Sequence, residues 1–182
     1  MHNDTSTRTI LVTGGTGLVG RALKAHVEAS NTKGHFIFAS SSEADLREYG
    51  EAFKLFEKYK PTHVIHLAVR LMAGSDMGKC MADLLVANLA IDSNVLRCAH
   101  EFKVSKLVST LSSFAYAQEA HIPITEDQLH DGKLHPLYEA YGLSKRVLET
   151  LSRAYHKQFN DNFVTVVPTN IFGRVNTYRD DG

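Results

Sequence analysis

Nowhere in the chain do about eighteen apolar residues run together, the length a bilayer-spanning helix needs. No apolar leader follows the polar start Met1-His2-Asn3-Asp4-Thr5-Ser6-Thr7 either. Such a chain is expected in the cytoplasm, with residues 1–8 flexible. A surplus of charge is also missing: 20 basic and 20 acidic side chains cancel, and neither sign is gathered into a block. That removes nucleic acid and anionic membrane from the expected partners. The two cysteines, Cys80 and Cys98, form neither a C-x-x-C pair nor a disulfide framework, and read as half-buried thiols in a reducing compartment. There are ten histidines but no H-E-x-x-H and no Cys/His cluster. His63 and His66, three apart in an expected strand, go to opposite faces, so no metal is expected. Internal repeats and low-complexity segments are absent too. The hydrophobic content of 43% over 182 residues suits one domain with a sizeable core.

What is present begins with Thr13-Gly14-Gly15-Thr16-Gly17-Leu18-Val19-Gly20, directly after the apolar run Ile10-Leu11-Val12. A glycine-rich string between a buried strand and a helix is the pattern of a turn that holds a dinucleotide pyrophosphate. Gly14 permits the tight turn, Gly17 keeps side-chain atoms away from the phosphates, and Gly20 lets the helix pack closely on the strand. The helix start then offers unpaired N–H groups and the positive end of its dipole to the anion.

Further apolar runs read as strands at His35 to Ala39, His63 to Ala68, Lys106 to Thr110 and Phe163 to Val167. Between them lie helical patterns from Leu18, around Tyr49 to Tyr59, from Cys80 to Phe102 and from Leu137 to Phe159. Pro61 ends the second. The stripe of the third helix, Leu84, Asn88, Ile91, Val95, Ala99 and Phe102, holds one amide, Asn88. It either bridges to backbone near the active site or is a satisfied core polar group. Five strands alternating with helices predict an α/β fold, a doubly wound parallel sheet ordered 3-2-1-4-5. The polar stretch Phe114 to Pro136 is expected as a long loop at the carboxyl ends of the strands, where such sheets handle ligands.

A second constellation lies in the last helix, Tyr141-Gly142-Leu143-Ser144-Lys145. Tyrosine and lysine four apart share a helix face. An ammonium beside a phenol favours the phenolate, which brings a group of reference pKa of about 10 within reach of proton transfer. Ser112, just beyond the fourth strand on the side of the glycine turn, can orient the phenol and hydrogen-bond a reacting oxygen. Together these residues suggest a reductase with Tyr141, Ser112 and Lys145 as catalytic residues. Neighbouring Ser113 also reads as an ordinary turn serine.

The sequence resembles the extended short-chain dehydrogenases/reductases that act on nucleotide sugars, most closely the GDP-L-fucose synthase (GDP-4-keto-6-deoxymannose epimerase/reductase) family. The likeness rests on ILVTGGTGLVG from Ile10, PTHVIHLA from Pro61, NVL from Asn94, LSS from Leu111, YGLSK from Tyr141 and PTNIFG from Pro168. It implies a Rossmann-like fold, NADP as cofactor, and conversion of GDP-4-dehydro-6-deoxy-D-mannose to GDP-L-fucose by epimerisation and then reduction. It also implies a homodimer packed through the two long helices. Residue by residue, Tyr141 matches the proton donor and Ser112 and Lys145 its partners. The segments matching cofactor contacts are Gly14, Gly15, Thr16, Gly17, Leu18, Val19 and Gly20; Asp45 and Leu46; His66, Leu67 and Ala68; Thr110, Leu111, Ser112 and Ser113; and Pro168, Thr169, Asn170 and Ile171.

Beyond the second strand stand Ser40, Ser41 and Ser42, where an acid would bind the ribose of NAD. Their hydroxyls suit the 2′-phosphate of NADP, although no cation is at that strand end and Glu43 is close enough to repel a phosphate. Three positions depart from the family, and the missing substrate domain is a fourth departure. Phe114 stands where the family carries a cysteine that moves protons in epimerisation. The loop after the third strand reads Leu71-Met72-Ala73-Gly74 instead of V-G-G. Gly173-Arg174-Val175-Asn176-Thr177-Tyr178 replaces the usual G-P-H-D-N-F, and the family's substrate domain begins about there. The expectation is therefore a dinucleotide-binding domain over 9–173, and a tail over 174–182 at an apparent truncation, with the substrate domain missing. The alternative to an active epimerase/reductase is a truncated, catalytically impaired NADP-binding module or a fragment of a longer enzyme.

Overall fold

The computed structural model describes residues 8–71 and 79–173. Residues 1–7, Met72 to Gly74 of the departing loop and the tail from 174 lie outside them. Five strands form one parallel sheet: β1 (Thr9–Thr13), β2 (His35–Ala39), β3 (His63–His66), β4 (Lys106–Thr110) and β5 (Phe163–Val166). Four helices connect them: α1 (Leu18–Ala29), α2 (Tyr49–Tyr59), α3 (Met81–Glu101) and α4 (Glu139–Phe159). The α/β class is as expected, and no helix among the described residues is long and apolar enough to cross a membrane.

The strand order differs from the expected 3-2-1-4-5. Spatially it is β2-β1-β3-β4-β5, with β1 hydrogen-bonded to both β2 and β3 and with β2 at the edge. Apolar runs mark strands but not their neighbours; the choice is made by helix packing. Right-handed crossovers put α1 on one face, because β1 to β2 runs one way, and put α2, α3 and α4 on the other, because every later crossover runs back. There α2 buries Ala52, Leu55 and Phe56, and Phe53 and Phe56 meet Phe102 just past α3 at ring separations of 5.0 and 5.9 Å. With β3 outside β2, both α1 and α2 would lie on one face and this contact would be lost.

The core therefore sits under α2, α3 and α4. Leu11, Val64, Leu107 and Phe163, neighbours across the sheet, pack with Phe56, Val95, Leu96, Ala99 and Leu148. No residue of α1 joins that cluster, and its expected apolar stripe is half-buried at best, with Ala22 and His26 exposed. Cys98 is fully buried rather than half-buried, while Cys80 is intermediate.

Helix ends follow the local chemistry. Lys60 turns left-handed at φ 43° before Pro61, and Asn160 does so at φ 60° after α4, its N–H donating to the His156 carbonyl. Asparagine tolerates this region because its short polar side chain can bond locally. The stretch from Phe114 to Pro136 is more ordered than a plain loop, with 3-10 turns at Ser113–Ala115 and Glu126–His130. Arg146 of α4 fastens it down, donating to the carbonyls of Ala115 and Asp131 at 2.7 Å each and of Gly132 at 3.2 Å.

Candidate active site

Because all strands are parallel, the segments that follow them converge on one edge. The crevice opens between β1 and β3, where successive connections leave toward opposite faces. The glycine turn fills it. Gly14 has φ +69°, and a Cβ there would lie 2.7 Å from the Ala68 backbone nitrogen. At Gly15 a Cβ would meet the Phe38 backbone at 2.7 Å, and at Gly20 the carbonyl oxygens of Gly14 and Gly15 at 2.5 Å. Three of the four glycines are thus required by the protein's own packing. Gly17 is different: a Cβ would meet only the Gly14 oxygen, at 3.2 Å, so its bare surface faces outward at the start of α1. A helix start with no side chain over its unpaired amides leaves room for an anion, and this suits a dinucleotide pyrophosphate. The turn is tied to β2 by the Gly15 N–H donating to the Ala39 carbonyl, 2.9 Å. Thr16 is exposed, and Leu18 and Val19 are half-buried along the same rim.

Beyond β2, the Ser40 and Ser42 hydroxyls bond each other at 2.7 Å on an exposed edge. Glu43 turns away to Lys58 and Tyr59, whose hydrogen bonds hold its carboxyl below the ordinary range. The repulsion expected of Glu43 is therefore offset by Lys58. Asp45 is occupied by Arg47, which lowers its pKa to about 2. Leu46 is buried, and the Asn94 amide of α3 donates to the carbonyls of Leu46 and Arg47 at 3.0 and 2.9 Å. The NVL string is thus a clamp: its asparagine holds this segment while Val95 and Leu96 fill the core. Asn88 does the same after β3, its amide oxygen accepting from the Arg70 N–H at 2.8 Å and its nitrogen donating to the Arg70 carbonyl at 3.0 Å. Of the two readings of this residue, bridging to backbone is the observed one.

Leu67 and Ala68 follow β3 directly, their N–H groups donating to the Thr13 carbonyl and to Thr13 Oγ1. Thr110 Oγ1 donates to the His66 carbonyl at 3.3 Å, and Leu111 is buried beside it. Ser112 caps the 3-10 turn that starts at Ser113, accepting from the Phe114 N–H at 3.2 Å. Pro168 to Ile171 run beyond β5, largely exposed, and return toward α1: the Cβ position at Gly173 is 3.7 Å from Leu18 Cδ1.

The three candidate residues Ser112, Tyr141 and Lys145 are brought together by a glycine. A Cβ at Gly142 would lie 2.3 Å from the Phe114 carbonyl oxygen. Only glycine lets α4 approach the Ser112–Phe114 turn so closely, and this sets Tyr141 within hydrogen-bonding reach of Ser112. Lys145 Nζ lies 6.0 Å from the Tyr141 ring centroid. Burial raises the phenol's pKa above its ordinary value, the Ser112 hydrogen bond opposes this, and the Asp92 charge adds to the rise. The Tyr141 phenol accordingly carries its proton at neutral pH. Phe114 closes one side of the phenol, with its ring stacked on Tyr138 at 4.2 Å and edge-on to Tyr141 at 6.4 Å.

One residue of this centre is absent from the sequence reading. Asp92 lies one turn beyond Asn88 on the apolar stripe of α3, is 2% exposed, and touches both His66 and Lys145. Its signal was available: two polar residues four apart on an otherwise apolar face.

This geometry frames the comparison with known proteins. The NAD dependent epimerase/dehydratase family matches residues 10–182. The chain belongs to that family. A GDP-L-fucose synthase of Dictyostelium discoideum is 40% identical over 179 residues, 98% of this chain and 56% of that protein. A probable GDP-L-fucose synthase of Drosophila melanogaster is 39% identical over 94% of this chain and 54% of its own length. Among solved structures, a GDP-L-fucose synthetase from Naegleria fowleri bound to NADP superposes with a TM-score of 0.87 at 36% identity, covering 96% of this chain and 56% of that one. The chain thus spans about half the length of the relatives it matches in this epimerase/dehydratase family.

Proposed function

We propose that this chain is the NADP-binding, proton-donating half of a GDP-L-fucose synthase-type epimerase/reductase, which converts GDP-4-dehydro-6-deoxy-D-mannose to GDP-L-fucose. The observation that carries the reading is that Gly142 lets α4, with Tyr141 beside it, close on the Ser112–Phe114 turn, and that Lys145 Nζ lies 6.0 Å from the Tyr141 ring, at the sheet edge that bears the glycine turn. The named likeness to GDP-L-fucose synthases supports the substrate class, and the NADP-bound Naegleria relative supports the cofactor. When bound, NADPH supplies the hydride for reduction of the 4-keto group. Gly14 to Gly20 would hold the pyrophosphate, Ser40 to Ser42 the adenosine 2′-phosphate, and Leu67, Ala68 and Pro168 to Ile171 would border the remainder. Lys145 would hold the nicotinamide ribose hydroxyls.

Reduction leaves an alkoxide at the former carbonyl oxygen, which Tyr141 protonates. Ser112 hydrogen-bonds the same oxygen and aims the phenol; Lys145 stabilises the phenolate left behind. With Phe114 in place of the family's cysteine, the residues beside Ser112 support the reductive step and not a cysteine-mediated epimerisation. A cytoplasmic homodimer completes the reading. The exposed Val86 of α3 and Leu143 and Val147 of α4, at 68%, 42% and 39% exposure, support pairing through those helices.

The test combines NADPH fluorescence titration with absorbance assays on GDP-4-dehydro-6-deoxymannose. Saturable binding with NADPH oxidation is expected, and Tyr141→Phe should abolish oxidation with affinity nearly unchanged. Binding without any oxidation would leave the cofactor-binding module as the correct description of this chain. Absence of binding refutes both readings.

A further inference from the structure

A buried polar chain runs beneath the proposed reacting residues, between the sheet and the α3–α4 pair. Thr13, His66, Asp92 and Lys145 are each 2% exposed or less. Thr13 Oγ1 is 2.7 Å from His66 Nδ1, and His66 Nε2 is 3.0 Å from Asp92 Oδ1. Asp92 Oδ2 stands 3.8 Å from Lys145 Nζ, an ion-pair distance longer than a normal hydrogen bond.

Valence orders the protons. Thr13 Oγ1 accepts from the Ala68 N–H at 3.4 Å and carries one proton of its own. Given to His66 Nδ1, that proton leaves Nδ1 as an acceptor, so the ring's proton sits on Nε2 and is donated to Asp92. Both ring nitrogens of His66 then have a partner. Asp92 has one oxygen held by His66 and the other turned to Lys145.

We propose that Asp92 is the positioning residue of this centre, the buried counter-ion that keeps the Lys145 ammonium charged and aimed at Tyr141, itself held through His66 to the strand that ends in the glycine turn. The inference rests on the reading of Tyr141 and Lys145 as the reacting pair. Two buried charges in contact are each tolerated because of the other; removal of one leaves the other uncompensated. Among the described residues, the titratable groups facing Lys145 are Tyr141 on its own helix and Asp92 on α3, with His66 of β3 behind Asp92. Burial lowers the Lys145 pKa, and the Asp92 charge opposes that fall. A neutral amide at 92 leaves burial unopposed.

The experiment reads the charge of Lys145 directly and needs no turnover. The chain is labelled with [13Cε]lysine, the Lys145 resonance is assigned by its loss in Lys145→Arg, and the signal is followed against pH. In Asp92→Asn the Lys145 midpoint should fall by about one to two pH units relative to the unsubstituted chain. Asp92→Glu, which keeps a carboxylate, should recover most of the shift. A folded Asp92→Asn chain whose Lys145 midpoint stays within about 0.3 pH unit of the original overturns the proposal. Equal midpoints in the Asn and Glu variants overturn it as well. If Asp92→Asn does not fold, the Asp92→Asn/Lys145→Met chain, with both charges gone, should regain folding, and failure to do so refutes the pairing. A parallel NADPH titration separates the two readings: a shifted Lys145 midpoint without NADPH binding sinks the proposed function and leaves the counter-ion role standing.

Discussion

Gly17 and Gly20 lie three residues apart in one motif and should answer differently to alanine. At Gly20 the added carbon meets two carbonyl oxygens at 2.5 Å, so Gly20→Ala should lower stability by roughly 2–3 kcal/mol in urea unfolding. Gly17→Ala has only a 3.2 Å neighbour and an ordinary φ of −73°. It should leave the unfolding midpoint almost unchanged and weaken NADPH binding at least tenfold by fluorescence titration, about 1.4 kcal/mol. Equal losses of stability would refute this division of labour. Tyr141 gives a prediction in pH. Its pKa lies above the ordinary 10.0, so the phenol stays protonated through the neutral range. Reductive turnover is therefore expected to be level from pH 6 to 9 and to fall as pH rises through the phenol's pKa, the donor being lost on ionisation. A base-like rise across pH 6–9 would contradict a proton donor.

Among the elements, α3 does more than its apolar stripe announces. Asn88, Asp92 and Asn94 reach respectively the loop after β3, the Lys145 centre and the segment after β2, so one helix positions three walls of the crevice. Asn88→Ala leaves the Arg70 N–H and carbonyl without their partners, and should cost about 1–3 kcal/mol in thermal or urea unfolding. An unchanged midpoint would show that water replaces the amide there. The same helix separates the two thiols. Cys98 is fully buried and burial pushes its pKa up to about 12, whereas Cys80 at the helix start is partly exposed. Iodoacetamide at pH 8 should therefore label Cys80 in the native chain, with Cys98 reacting only after denaturation. Mass spectrometry of the alkylated peptides would expose native labelling of Cys98 as a contradiction.

At the scale of the whole molecule, the sheet is covered unequally. The face under α2, α3 and α4 holds the core, while on the other face Val164 and Val166 of β5 remain 38% and 43% exposed. Val164→Thr/Val166→Thr should keep stability within about 0.5 kcal/mol, as suits exposed strand positions, and reduce binding of an apolar fluorescent dye. A larger loss would mean that these valines pack more tightly than their exposure indicates. Residue type and spacing alone determined a great deal: the five strands, the α/β class, the glycine turn, and Ser112, Tyr141 and Lys145 as the candidates for chemistry. These are local signals, written by the period of apolar residues and by the few side chains that can turn a backbone or carry a proton. The tertiary structure decided that β3 lies beside β1, that Gly142 serves the approach of α4 to Ser112, and that Asp92 on a core-facing stripe pairs with Lys145. Each depends on which surfaces meet after the chain has folded, and residues 53, 26 or 31 positions apart leave no periodic mark of their meeting. For the two buried charges the physical reason is plain: neither is solvated in the interior, so each gains its meaning only from the partner that packing brings to it.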